Sequence, residues 1–212
     1  PFASTYRAIA SAPVLIQNAT VLTGTGVRLD NADVLMQDGK IQAVGKALSA
    51  PGNAKVINGT GKWVTPGIID VHSHLGVYAS PGIQATSDGN EATNAVTAHV
   101  WAEHSVWPQD AGFAKALAGG VTSMQILPGS ANLVGGRSVI LKNVAATTYQ
   151  GMKFPDAPYG IKMACGENPK RVYGEKGGPS TRMGNMAGYR AAFIGAEAYR
   201  RKWDAYEKGG RH

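Results

Sequence analysis

Thr65-Pro66-Gly67-Ile68-Ile69-Asp70-Val71-His72-Ser73-His74-Leu75 decides how the rest of the chain is read. Pro-Gly is a turn signal, and the β-branched apolar run behind it predicts a short buried strand rather than a helix. Side chains two apart on a strand share a face, so Asp70, His72 and His74 project one way while Ile69, Val71 and Ser73 project the other. Two imidazoles then meet at the end of the strand. Neutral imidazole is the commonest protein ligand of a transition metal, and a pair held on a rigid strand reorganises little on taking an ion. Asp70 is placed to orient one ring from outside the coordination shell. For a lone histidine a hydrogen-bonded core residue is the plainer reading. His-x-His ending a strand favours metal.

Residues 64–74 join a Pro-Gly turn, an apolar strand, an acid and two spaced imidazoles in one order. This stretch resembles the first-strand signature of the metal-dependent amidohydrolase superfamily, and the chain most resembles its imidazolonepropionase-related branch. The similarity runs from about Val14 to the chain end. The fold it implies is α/β: a (β/α)8 TIM-type barrel preceded by a small β-sandwich. It also implies one or two divalent ions, zinc or a similar metal, on His72, His74 and a carboxylate. Such an ion polarises a carbonyl and lowers the pKa of bound water to about 7, which supplies hydroxide for attack on a C–N bond. The family's two further histidines and its catalytic aspartate belong to later strands.

Length limits how much of that fold is expected. A barrel of this kind typically needs about 250 residues, and the chain has 212 with an N-terminal segment included. The expectation is a partial barrel: a fragment, inactive alone, whose C-terminal half is a missing partner. Its open strand edges want pairing, so a homo-oligomer is a further possibility. The runner-up reading is a non-catalytic assembly half that docks an acidic partner through a basic surface.

Composition, 43% hydrophobic and 17% charged, is that of a globular protein, and no apolar run is long enough to span a bilayer. The single cysteine, Cys165, excludes an internal disulfide framework. The opening Pro1-Phe2-Ala3-Ser4 is compatible with a mature exported protein, and the resemblance tilts the expectation towards the periplasm, with the cytoplasm as alternative. Residues 1–106 carry 6 basic and 7 acidic groups, while residues 107–212 carry 15 and 7. The net charge of +7 therefore lies in the second half. No recognition module or aromatic interleaving accompanies it, so nucleic acid is not expected.

Three domains follow along the chain: an extended arm (1–12), a small incomplete β-domain (13–65) and the first part of the barrel (66–212). In the second, strands are expected at 14–17, 19–23, 33–37, 40–44, 55–58 and 62–64. Asp38-Gly39 is a hairpin cue, because both residues accept positive φ. Gly59-Thr60-Gly61-Lys62 lacks the leading Gly and the following Ser/Thr of a phosphate loop and reads as a turn.

Residues 76–110 form a long insertion after the first barrel strand, where loops lie on the catalytic face. Residues 90–107 have helical character. His99 and His104, about 140° apart on a helix, do not share an ion. Tyr78, Trp101 and Trp107 are candidates to line a pocket. A helix at 111–118 ends at Gly119-Gly120, and the second barrel strand follows at 121–127. Arg137 sits in a glycine-supported turn before a strand at 138–142, and is a candidate for a substrate carboxylate.

Residues 159–170 read as a strand opening into a Gly166-Glu167-Asn168-Pro169 turn. Some amidohydrolase subgroups use a glutamate at such a place to bind the metals, and others a carboxylated lysine. Glu167 is favoured and Lys162 is the alternative. Strand alternation admits only one of them, and a carboxylate needs no modification to be a ligand. Arg182, in a loop at 177–184, is a second candidate anion contact. From Asn185 a helix is expected to about Lys208, its Met186, Tyr189, Phe193, Ala196, Tyr199, Trp203 and Tyr206 stripe packed on a sheet and Glu197 pairing with Arg201. The expected substrate is a small amide or a dipeptide-like compound.

Overall fold

The structure is a computed structural model that describes residues 2–209. It divides into two compact units, Tyr6–Ile68 and a larger one made of Pro1–Thr5 with Ile69–His212. Among the described residues no helix is long and apolar enough to cross a membrane.

The smaller unit is one five-stranded sheet: β1 (Val14–Leu22), β2 (Arg28–Gln37), β3 (Lys40–Gly45), β4 (Lys55–Asn58) and β5 (Trp63–Val64). The spatial order is β3-β2-β1-β4, with β5 beside the far end of β1. Among the described residues the segment expected to be an incomplete β-sandwich forms this one sheet. The two strands expected at 14–17 and 19–23 are one strand broken by a bulge at Asn18, whose φ is 60°. Asp33 holds the bulge, its buried carboxylate accepting the amides of Asn18 and Leu48, both at 2.9 Å. Asp38 and Gly39 take φ of 54° and 72° and close the β2–β3 hairpin as expected. Ala19, Val21, Ala32 and Val34 form the core.

The larger unit is mixed α/β. A three-stranded sheet runs in the order β6 (Ile68–Ser73), β7 (Val121–Ile126), β9 (Val139–Lys142), and β8 (Val134–Arg137) pairs with β10 (Ile161–Met163) in a second. Both β7–β9 and β8–β10 are antiparallel. The chain turns back through Pro128–Gly136 after β7 instead of crossing over by a helix. Helix α1 (Ala111–Ala118) precedes β7, and α2 (Tyr149–Met152), α3 (Glu167–Tyr173) and α4 (Arg182–Glu207) follow β9. Val77, Val106, Phe113, Met124, Ile126, Val139, Leu141 and Met152 make the core.

Several expectations for this unit change. Residues 90–107 form no α-helix; only Ala102–His104 makes a 3-10 turn. The carbonyls of Glu91 and Asn94 bond to the buried Asn132 amide, and Thr97 to the backbone of Val134, so tertiary partners replace helical ones. The N-terminal arm is not free. Ser4 donates to the Lys153 carbonyl (2.7 Å) and Thr5 to that of Gln150 (3.0 Å). Beside them the fully buried Glu103 meets Lys153 at 2.7 Å.

The apolar face of β6 is not covered either, with Ile69 and Val71 each 70% exposed. Helix α4, capped by the Thr181 hydroxyl at Gly184, buries only Asn185. Phe193, Tyr199, Trp203 and Tyr206 stand in solvent, so the stripe is not the packed face its periodicity predicts. Arg201 donates to Glu197 at 3.0 Å as expected.

Candidate metal centre

β6 delivers His72 near its carboxyl end, and His74 follows one residue past it. Their rings stand edge to face, with centroids 5.2 Å apart and planes at 84°. His74 Nδ1 lies 2.8 Å from the Leu127 carbonyl oxygen. A carbonyl only accepts, so Nδ1 carries the proton and Nε2 keeps its lone pair for a ligand. Burial lowers the His74 pKa, and although the Leu127 hydrogen bond opposes this, the ring is held towards its neutral, metal-binding form.

Lys162 completes the group. It is the inward residue of β10, buried between two less covered neighbours. Its Nζ lies 3.5 Å from His72 Nε2 and donates to the Pro128 carbonyl at 3.1 Å. Burial lowers its pKa. Two imidazoles and one amine therefore converge where β7 gives way to the loop at 127–129.

Glu167, the favoured third ligand, is not part of this group. The strand ends at Met163, and Glu167 is instead the exposed first residue of α3. Among the described residues no three of His, Cys, Asp and Glu cluster as a metal site. Asp70 does not orient a ring directly: its carboxylate accepts the backbone amide of His72 at 3.1 Å and so fixes the strand end. Arg137 lies in β8, its guanidinium 4.2 Å over the Trp101 ring. Arg182 opens α4, exposed. Cys165 is exposed as well.

Sequence reasoning missed the carbonyls of Leu127 and Pro128, because backbone acceptors leave no trace in residue identity. It also passed over Asp110, whose position before Ala111 marks a helix cap. The Asp110 carboxylate accepts the amides of Gly76, Ser80 and Gly112 at 3.0, 3.1 and 2.9 Å. These bonds close the insertion onto the residue two places after His74. Tyr78 stands edge-on to His74, with centroids 5.7 Å apart, and donates to Asn90 at 2.8 Å. Neither Gly89 nor Gly129 can be replaced without displacing it, since a Cβ at either falls within 2.4 Å of the Tyr78 ring or hydroxyl.

The residues present fit a divalent ion in part. Two imidazole nitrogens are suitable donors, and a buried amine becomes an oxygen donor only once carboxylated.

No protein-family profile matches the chain. An amidohydrolase from Thermotoga maritima MSB8, solved crystallographically, superposes on 94% of the chain with a TM-score of 0.85 and 43% identity. The chain covers 51% of that protein. Amidohydrolase tasK of Hapsidospora irregularis is 36% identical over 91% of the chain, which spans 22% of its length. A dihydroorotase of Lactobacillus helveticus is 42% identical over 85 residues, 40% of the chain and 18% of that enzyme. With the His-x-His strand, the mixed α/β fold and these relatives in agreement, the chain belongs to the amidohydrolase superfamily.

Proposed function

We propose that this chain carries the first part of the divalent-metal centre of a hydrolase acting on amide or related C–N bonds. His72, His74 and carboxylated Lys162 would hold the ion, with further ligands coming from polypeptide outside these 212 residues. The observation that carries the reading is the approach of Lys162 Nζ to His72 Nε2, beside a His74 whose tautomer leaves Nε2 free. A divalent ion there supplies Lewis acidity, polarising an amide carbonyl and making water nucleophilic at neutral pH.

The chain's own residues prepare that chemistry. A buried lysine with a lowered pKa offers its neutral amine more readily. The Nζ lone pair then attacks carbon dioxide, a C–N bond forms, and the displaced proton leaves to solvent. The resulting carbamate is anionic and presents oxygen. The Leu127 carbonyl keeps the His74 proton on Nδ1, while Asp70 holds the backbone at His72. The substrate class is a small amide or a dipeptide-like compound.

The test is reconstitution with zinc in 13C-labelled bicarbonate. A carbamate carbon signal and bound zinc are expected, and Lys162→Arg should abolish the signal. His72→Ala should lower zinc affinity by at least about tenfold, the size of effect that loss of a metal-site group commonly brings. Undiminished zinc binding by His72→Ala would refute the assignment.

A further inference from the structure

Pro1–Thr5 belong to the larger unit, while the chain from Tyr6 belongs to the smaller one. Between this arm and β1, residues 6–13 form no helix or strand, and residues 7–12 are exposed. An exposed stretch of this kind is open to proteases. A cut there would leave the arm attached to the larger unit by its own contacts alone.

Those contacts are polar. They rest on the ion pair of Glu103 and Lys153, which are 0% and 7% exposed. Lys153 has three N–H donors, and they reach the Glu103 carboxylate, the Tyr159 hydroxyl and the Phe2 carbonyl. The Phe2 amide approaches the other Glu103 oxygen at 3.4 Å. The Ser4 hydroxyl and the Thr5 amide donate to the Lys153 and Gln150 carbonyls, which lays the arm along 150–153. A buried ammonium that loses one acceptor is costly, so the pair is complete only with the arm seated. None of residues 2–5 belongs to the apolar core of the unit, and the Phe2 side chain is exposed, so the arm can leave without opening that core. Glu103 lies on the insertion, and Trp101, two residues before it, stands edge-on to Tyr159 with centroids 4.7 Å apart. The seated arm therefore clamps this part of the insertion to 149–159, as Asp110 clamps Gly76 and Ser80.

We propose that residues 2–5 are a releasable strap, an internal peptide ligand for the seat formed by 103–104 and 149–159, and that its departure loosens the turn at 102–104 while the sheet stays folded. The proposal does not depend on the metal reading. Its test replaces residues 7–12 of the full chain with the recognition sequence of a site-specific protease and reads amide hydrogen exchange after cleavage and dialysis. The amides of His104, Ser105, Gly151 and Lys153 are each bonded to a nearby carbonyl. They should exchange at least about tenfold faster, the size of effect that one lost hydrogen bond brings. The amides shared by β7 and β9 should keep their rates. A synthetic peptide of residues 1–6, supplied at about 1 mM to suit an affinity built on a few hydrogen bonds, should restore slow exchange. The same peptide carrying Thr5→Pro lacks the amide that bonds to Gln150 and should not.

In the uncut chain, Thr5→Pro should speed the same four amides and leave β7 and β9 alone. Unchanged exchange once the arm has gone, or no recovery with the peptide, would overturn the proposal. Faster exchange in β7 and β9 as well would also overturn it, because the arm would then be part of the fold's core rather than a strap.

Discussion

Lys162 is buried, and that burial lowers its pKa. The unfolded chain therefore binds this proton up to a higher pH than the folded one, close to the ordinary lysine value of about 10.4. Between the folded and unfolded values the unfolded state holds more protons, so this residue makes stability rise with pH across that window. Below the folded value both states are charged, and the full cost of burying the ammonium is present. Lys162→Met should remove that rise, which urea titrations of both proteins from neutral pH to about 10 would show as a flatter profile for the variant. The histidine pair was legible because a period of two is enough to place two rings on one face. The third member was not. Alternation was carried from Lys162 to Glu167, but the strand ends at Met163, and beyond a strand end the period no longer says where a side chain points.

The insertion at 76–110 owes its shape to polar side chains rather than to helical pattern. Asp110 gathers three backbone amides and caps α1, and these bonds lower its pKa although burial alone would raise it. A depressed carboxylate stabilises the fold above the usual carboxylate range, and that contribution disappears as pH falls through the depressed value. Asp110→Ala removes a helix cap and leaves buried amides unpaired, which should cost about 2–4 kcal/mol in chemical denaturation. Because Gly76 is one of the three, zinc affinity should fall with it. Unchanged stability in the variant would show the latch to be inert. The helix expected at 90–107 had adequate periodicity. Asn132, more than 30 residues away, offered its carbonyls a better arrangement, and no local window contains that partner.

At the scale of the whole molecule, large apolar side chains lie exposed on two elements of the larger unit. Ile69 and Val71 on β6 and Phe193, Tyr199, Trp203 and Tyr206 on α4 are exposed, and large apolar side chains gathered on one element's surface ordinarily mark contact surfaces. The 212-residue chain should accordingly bind a hydrophobic dye and associate at high concentration. Replacing Phe193 and Ile194, 62% and 70% exposed, with glutamate should suppress both while changing stability by no more than about 0.5 kcal/mol each. Sedimentation and thermal melts of the double variant check the two halves of that statement, and a large loss of stability would mean that these residues are packed.

Amphipathic period was read correctly on α4, but a period only says which side chains share a stripe, and whether anything covers them is a property of the surrounding polypeptide. By itself the sequence determined the His-x-His strand, the Asp-Gly hairpin, the helix after Asp110 and the superfamily, all of which follow from short-range order along the chain. Tertiary structure alone decided that Lys162 rather than Glu167 reaches the imidazoles, that backbone carbonyls at 127 and 128 orient the group, and that β9 returns antiparallel. Each of these depends on contacts between residues far apart in the chain, which packing brings together and local pattern does not encode.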